Sequence, residues 1–493
     1  MLLLSFIVVT ILCYFWLRHR YTYWERHGVK GPKPVFFFGN LFKSLTLQEH
    51  HSIAPIRWYN TFNDVPFIGF YKLFKPAILI RDPELQREIL VKAFPNFHDN
   101  DANVSADDDL RSTNPFFKNG ENWQRGRTYF GSFFSANKIR QTLTCVLEVG
   151  REWERFVRSL GENAEVDAKD VCSRYTVESM IRSTFSIDGR SFEQQAEFVD
   201  MGKSMIDPDA ITAIKMMVTF FVQDILKYLN VALVSPSMSN RLKQIVSDQI
   251  KARDSGTVRC EDLLQTIMSG REKYGLNETE IAGICFAFFF EAYDTTPNTL
   301  VLALYQLAKH PHIQDKLVQT IDEAIAANDN QVTYDLVQKH EYLEKVLYET
   351  MRAEPFLFGL LKLCTKDYTM PLLPGQKIPV TIPATTPIVL PFAAVYKDPT
   401  YFPDPDVFDP ERFSPEQKLL RPKSAFIPFG DGPRMCIGMQ LGLFNMKMGL
   451  FEMIRYFHVK LGPNNKPFEL HPMSFSNVAK NGVKIILTPR KRE

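Results

Sequence analysis

The segment Phe429-Gly430-Asp431-Gly432-Pro433-Arg434-Met435-Cys436-Ile437-Gly438 gathers the residue types with the most chemical reach in this chain. Glycines at 430 and 432 let the backbone turn tightly and come close to a flat object. Cys436 stands just before a helix expected from Gly438 to about Arg455. A thiolate there gains backbone donors and the positive end of the helix dipole, which lower its pKa. Such a thiolate suits an axial iron ligand, and Arg434 is spaced to pair with an anionic group of that ligand. A lone cysteine is more often a buried structural residue, but the whole ten-residue pattern favours the ligand. The commoner chemistries lack their motifs: there is no GxxxxGK(S/T) phosphate loop, GxSxG elbow or HExxH zinc helix. His310 and His312 flank Pro311, a geometry better suited to a helix end than to a shared metal.

A second constellation lies in the apolar stretch 281–309, interrupted by Glu291-Ala292-Tyr293-Asp294-Thr295-Thr296-Pro297. Positions 291, 294 and 295 are three and four apart, so two carboxylates and a hydroxyl share one helix face. Pro297 cannot donate to the carbonyl of Tyr293, which predicts a loosened helix with a free carbonyl able to hold water beside a Thr hydroxyl. Glu349 and Arg352 also share a helix face, and Arg412 is placed to join them on one carboxylate. That trio reads as a structural ion network rather than as chemistry.

Together these segments resemble the cytochrome P450 superfamily. The cysteine loop matches its FxxGxRxCxG pattern, with Cys436 as axial thiolate, Arg434 as propionate-binding arginine, and Phe429, Gly432 and Gly438 at the pattern's other positions. Phe429, Gly430 and Gly438 are the loop's expected haem-contacting residues. Glu349-Thr350-Met351-Arg352 looks like the family's ExxR helix, and Pro410-Glu411-Arg412-Phe413 like its PERF segment. Trp123-Gln124-Arg125-Gly126-Arg127 is similar to WxxxR, whose Trp and Arg approach a propionate in relatives. Each of the last three patterns is weak alone; their order, ending in the cysteine loop, is specific.

The resemblance covers the whole chain and implies haem b (iron protoporphyrin IX). It also implies a monooxygenase using O2 and NADPH electrons delivered by an NADPH-cytochrome reductase, with cytochrome b5 as an optional donor. Asp294 and Thr295 match the proton-delivery pair of (A/G)Gx(D/E)T(S/T). Three residues depart from the family pattern. Ala292 replaces a common Gly. Glu291 replaces a small residue and carries two readings, an ester to a haem methyl or an ion-paired or water-facing carboxylate. Lys362 stands where relatives often have an Arg near a propionate, keeping the charge without the bidentate fork. A haem-thiolate isomerase or peroxide-dependent enzyme, and a non-catalytic haem ligand carrier or sensor, are the competing functions; the Asp294-Thr295 pair argues against both.

The elements that must position these residues read as mainly α with a minor β portion, one large domain over 35–493 without internal repeats. Apolar spacing of three and four predicts helices over 138–160, 240–268, 278–309 and 314–327, while 62–82 alternates as short strands. After 355 a Pro-rich stretch precedes the last helix. Ahead of the domain, residues 1–17 carry no charged side chain and Arg18-His19-Arg20 follows, which predicts a membrane anchor over 1–20. Tyr14 and Trp16 sit where interfacial aromatics belong, and no A-x-A-like cleavage site follows. A basic, Pro-rich hinge over 21–34 then leads to a catalytic domain on the cytosolic face of the endoplasmic reticulum (microsomal) membrane. The Cys364-Thr365-Lys366-Asp367-Tyr368 segment looks like insect detoxification members of the family.

A net charge of only +2 gives no drive toward nucleic acid, and seven scattered cysteines exclude a disulfide framework. Forty phenylalanines offer aromatic surface for a core or a greasy ligand. The run 286–290 and the stretches 98–119 and 211–226 match pocket-forming segments of the family, with core packing the commoner fate of each residue. An apolar small-molecule substrate drawn from the membrane fits this composition. Arg421, Lys423, Arg434 and Lys447, with Arg125, are expected either to form a basic face for an acidic reductase or to be scattered solvated charge.

Overall fold

The computed structural model describes residues 2–105, 108–131, 134, 136–141, 143–206, 209–223, 232–373 and 376–490, and within these the side chains at 2, 136, 137, 143, 291 and 292 are not described. The first element, α1 (Leu2–Tyr21), ends on Arg18, His19 and Arg20 and is the one described helix long and apolar enough to cross a membrane. Its side chains are exposed along most of its length, as a lipid-facing helix requires. The basic hinge is stitched to the globule: the Trp24 indole N–H donates to the Phe70 carbonyl at 2.9 Å, and Gly69 N–H donates to the Lys30 carbonyl at 2.9 Å.

Helices make up most of the globule. A five-stranded mixed sheet takes β1 (Phe67–Lys72), β2 (Lys75–Ile80), β3 (Asp99–Asn100), β4 (Leu360–Leu363) and β5 (Pro387–Leu390) in the order β1-β2-β5-β4-β3. In register, Phe67 faces Ile80 across β1 and β2, Ile78 faces Ile388 across the parallel β2–β5 pair, and Asn100 faces Lys362. That last pair brings Lys362 into the site described below.

Five helices carry the remaining site residues: α2 (Asp109–Ser112), α3 (Gly120–Gly131), α4 (Ala168–Phe185), α5 (Ala210–Phe221) and α6 (Glu278–Lys309). They are followed by α7 (Glu341–Ala353) and α8 (Met439–Tyr456). α6 runs through the centre of the molecule. Asn277 and Glu280 close a capping box at its start, and Pro311 opens the following helix at its end.

The helix expected over 240–268 is two helices, Pro236–Asp254 and Leu263–Tyr274. Gly256, at φ +76°, breaks the first, and Asp262 caps the second by accepting from Gln265 N–H at 2.8 Å. Asp262 also holds Arg253 in a buried fork at 2.5 and 2.6 Å, so its polar side chain outweighed the apolar periodicity. The 138–160 expectation is met by the helical segments Ala136–Gln141 and Leu143–Ser159, with residue 142 outside the described residues.

Most of the phenylalanine run became core. Phe286, Phe288 and Phe289 pack with Leu110, Tyr129, Phe130 and Phe198, and the half-buried Phe290 ring lies 4.2 Å under the Arg111 guanidinium.

Candidate active site

The cysteine loop is closed by its own backbone. Cys436 N–H donates to the Phe429 carbonyl at 2.8 Å, and Met435 N–H to the Gly432 carbonyl at 3.0 Å. Gly430 and Gly432 sit at φ +74° and +71°, the left-handed region that favours glycine. Gly432 is also pressed against the chain, since a Cβ there would lie 2.1 Å from the Leu90 carbonyl oxygen. The close approach that the sequence predicts at Gly432 is therefore to backbone. Gly438 caps α8, two residues after the exposed Cys436.

Beside this loop the structure collects positive charge. Arg434 projects inward with its side chain 5% exposed: its guanidinium lies 4.7 Å from the Trp123 ring and donates to the Lys118 carbonyl at 2.6 Å. Asp99, 3.5 Å away, is its carboxylate partner, while Arg434 Nε is buried with no hydrogen-bond partner. Burial lowers the Arg434 pKa to about 10. Lys362 on β4 is fully buried, donates to Asn100 Oδ1 at 3.0 Å, and is pushed well below its ordinary value by burial and then by Arg434. Arg127, half-buried on α3, is also lowered by burial and lies within electrostatic reach of both Arg434 and Cys436.

Arg434 and Lys362 thus share one carboxylate, Asp99, with the basic Arg127 within electrostatic reach of Arg434. Buried cations in such excess require anions, and the two propionates of a haem supply that charge. The orphaned Arg434 Nε, the Arg434–Lys362–Arg127 cluster and the exposed thiol on a rigid loop fit a haem held through Cys436. Where the sequence left the Lys362 contact open, the structure puts this side chain in the same cluster.

On α6, Asp294 is buried. It accepts from Asn298 Nδ2 at 2.7 Å and from Ser476 Oγ at 3.3 Å, with Lys169 Nζ 3.8 Å away. Burial raises its pKa, outweighing Lys169, Ser476, Asn298 and Arg111. Thr295 is partly exposed and its carbonyl accepts from Thr299 Oγ1 at 3.0 Å. The free Tyr293 carbonyl expected from Pro297 is corrected: Lys169 Nζ donates to it at 3.4 Å, so a side chain from α4 takes the place of the missing backbone donor. Glu291 and Ala292 belong to α6, but their side chains lie outside the described residues.

The structural trio meets as spaced. Arg352 forks onto Glu349 with both bonds at 2.8 Å, and Arg412 Nε lies 3.6 Å from the same carboxylate. Both Glu349 and Arg352 are wholly buried, and Arg352 and Arg412 also bond the carbonyls around 396–407, the coil ahead of the cysteine loop.

The basic face is not present as a set. Lys447 is fully buried against Glu344 and the Gln338 carbonyl, both at 2.6 Å, and Arg434 points inward. Arg421 is clamped between Phe402 and Phe413, 4.7 and 4.9 Å from their rings. Of the five, only Lys423 and Arg125 are exposed. Basic side chains near a buried site were recruited inward as partners for carboxylates, carbonyls and rings.

Sequence reasoning missed Lys169, Asn298, Ser476 and Asp99. Asn298 had a readable signal, four residues after Asp294 on one helix. A small apolar cavity of about 60 Å³ is lined by His51, Phe221, Phe358, Leu361 and Phe475, with the Lys72–Asp101 ion pair in its wall.

Comparison with known proteins agrees with this geometry. The cytochrome P450 family model matches residues 29–486. The chain is 31% identical to "Probable cytochrome P450 6a13" of Drosophila melanogaster over 466 residues, covering 92% of each chain. It is 29% identical to "Probable cytochrome P450 6d4" of the same fly, covering 99% of this chain and 98% of the relative. It is 30% identical to "Cytochrome P450 6l1" of Blattella germanica, covering 94% and 91%.

Proposed function

The chain belongs to the cytochrome P450 family, whose members are haem-thiolate monooxygenases, and on that premise we propose that it hydroxylates an apolar small molecule drawn from the membrane. The balanced reaction takes substrate, O2, NADPH and a proton to hydroxylated product, water and NADP⁺. Cys436 would hold haem b, which would supply the iron chemistry that activates O2. Arg434, Trp123, Arg127 and Lys362 hold the propionates, the first by a buried guanidinium stacked on the indole. Asp294 would hold a proton on its carboxyl for delivery into the site, its raised pKa keeping it protonated more readily than an exposed Asp. Thr295, one residue on and partly exposed, holds water beside it.

The observation that carries this reading is the gathering of Arg434 and Lys362 on the one carboxylate of Asp99, with Arg127 within reach of Arg434 and of an exposed Cys436. Electrons come from an NADPH-cytochrome reductase, with cytochrome b5 as a second donor, at the cytosolic face of the endoplasmic reticulum; the apolar α1 and the insect relatives support that placement. The substrate class extends to xenobiotics, fatty acids, steroids and hormone-like lipids, supported by the apolar, phenylalanine-rich segments 98–119, 211–226 and 286–290.

The test is the reduced carbon monoxide spectrum of the purified protein. Wild type is expected to show thiolate-ligated haem, and Cys436→Ser to lose it. A Cys436→Ser protein with an unchanged spectrum contradicts the assignment. The Glu291 ester rests on residue type alone; denaturing mass spectrometry that releases intact haem from wild type rules it out.

A further inference from the structure

Asp294 is reached from a part of the chain far from α6. Ser476 lies 182 residues away in the turn 471–478, and its hydroxyl donates to Asp294 Oδ2 at 3.3 Å. Both residues are buried, so water does not compete freely for either group. The turn that presents this hydroxyl is fixed from several sides. Ser476 N–H donates to Ser474 Oγ at 3.2 Å, His471 N–H to the Val478 carbonyl at 2.9 Å, and Asn477 N–H to the Phe356 carbonyl at 3.0 Å. Phe475 stacks on Phe220 with centroids 4.1 Å apart and on His51 at 5.0 Å, and it lines the apolar cavity. One residue of this turn therefore faces the cavity while its neighbour holds the buried carboxyl on α6.

We propose that Ser476 is a positioning residue for Asp294, holding the carboxyl in one orientation and favouring its ionised form so that its proton is released on demand. This rests on the reading of Asp294 as the proton donor. A carboxyl that accepts from both Asn298 and Ser476 has each oxygen fixed by a different donor, one on its own helix and one on the cavity-facing turn. The other charged groups that face it are Lys169 on α4 and Arg111 on α2, both cations that also favour ionisation. His50 and His51, packed against the same turn, are lowered by burial to about 2 and about 4 and contribute no charge near neutrality. Ser476 is thus an uncharged contributor, removable without changing the net charge around Asp294.

The test titrates the carboxyl directly in the resting holoenzyme. The infrared carboxyl band of Asp294 is identified as the one lost in Asp294→Asn, and its pH dependence is compared in wild type, Ser476→Ala and Ser476→Thr. Removing a donor to the ionised form is expected to move the Ser476→Ala titration upward by about one pH unit, while Ser476→Thr, which keeps the hydroxyl, stays near wild type. In parallel, NADPH oxidation with reductase and dodecanoic acid as the apolar probe is divided between product and released hydrogen peroxide. Ser476→Ala is expected to raise the peroxide fraction several-fold, with its thiolate spectrum unchanged.

An Ala variant that titrates like wild type, while Asp294→Asn raises peroxide release, overturns the Ser476 proposal alone. An Asp294→Asn variant with an unchanged peroxide fraction overturns the reading of Asp294, and the proposal falls with it. A Thr variant shifted as far as the Ala variant assigns the effect to packing and also overturns the proposal.

Discussion

A carboxyl that is to donate a proton must be held near neutral charge without being locked there, and Asp294, the proposed donor, shows how single contacts set that balance. Burial holds its pKa above the ordinary value of about 3.9 against the pull of Lys169, Ser476, Asn298 and Arg111. A carboxyl raised in this way binds its proton more firmly in the folded chain than in the unfolded one. Its contribution to stability is therefore fully present below about pH 3.9 and is lost as pH rises through the folded value. Asp294→Asn should accordingly melt above wild type at pH 8, with the difference closing below about pH 4, as thermal unfolding across pH will show. Arg434 obeys the same logic from the opposite charge. Truncating it to Ala removes charge-assisted bonds to a propionate and should weaken haem retention about ten- to hundredfold, measured by transfer of haem to an apo-globin acceptor.

At the scale of elements, the chemistry depends on rigid supports. The Glu349–Arg352 fork is wholly buried, and Arg352 also ties down the Tyr396 and Pro405 carbonyls. Arg352→Ala strands a buried carboxylate and should destabilise the protein by about 3–5 kcal/mol, with loss of the thiolate spectrum on purification. Gly432→Ala should be damaging for a different reason, because the new Cβ meets the Leu90 carbonyl at 2.1 Å in a backbone conformation at φ +71°. Its expected signature is a displaced cysteine loop, seen as a mixed or absent thiolate spectrum in a chain with normal helix content.

The contrast between these supports and the Asp294 environment explains what the sequence could reveal. The cysteine loop is contiguous, and Glu349 and Arg352 are three apart, so their geometry follows from local chain stereochemistry. Lys169 and Ser476 reach Asp294 only because α4 and the 471–478 turn pack against α6. No local pattern marks such partners. The basic face failed for a related reason: charge on a sequence carries no direction, and Arg434 and Lys447 turned inward to groups that only folding brings near.

For the whole molecule, α1 and the hinge set where the reaction takes place. Leu3–Tyr21 is long enough to span a bilayer and its basic end abuts the globule, which Trp24 ties to β1. Deleting residues 1–20 should shift the protein from the membrane pellet toward the soluble fraction after alkaline extraction while preserving the thiolate spectrum, since the site draws no residue from that segment. The mainly helical architecture and minor sheets were legible from periodicity, whereas the division of 240–268 was hidden because one capping aspartate and one glycine interrupted an otherwise regular apolar pattern. The central claim is that all these parts serve monooxygenation, and isotope incorporation tests it most directly. Purified protein would be supplied with NADPH, reductase, ¹⁸O2 and a mixed panel of fatty acids and apolar xenobiotics, and products read by mass spectrometry. One ¹⁸O atom per product, dependent on NADPH, is the predicted result; product formed without NADPH, or carrying oxygen only from water, would contradict it.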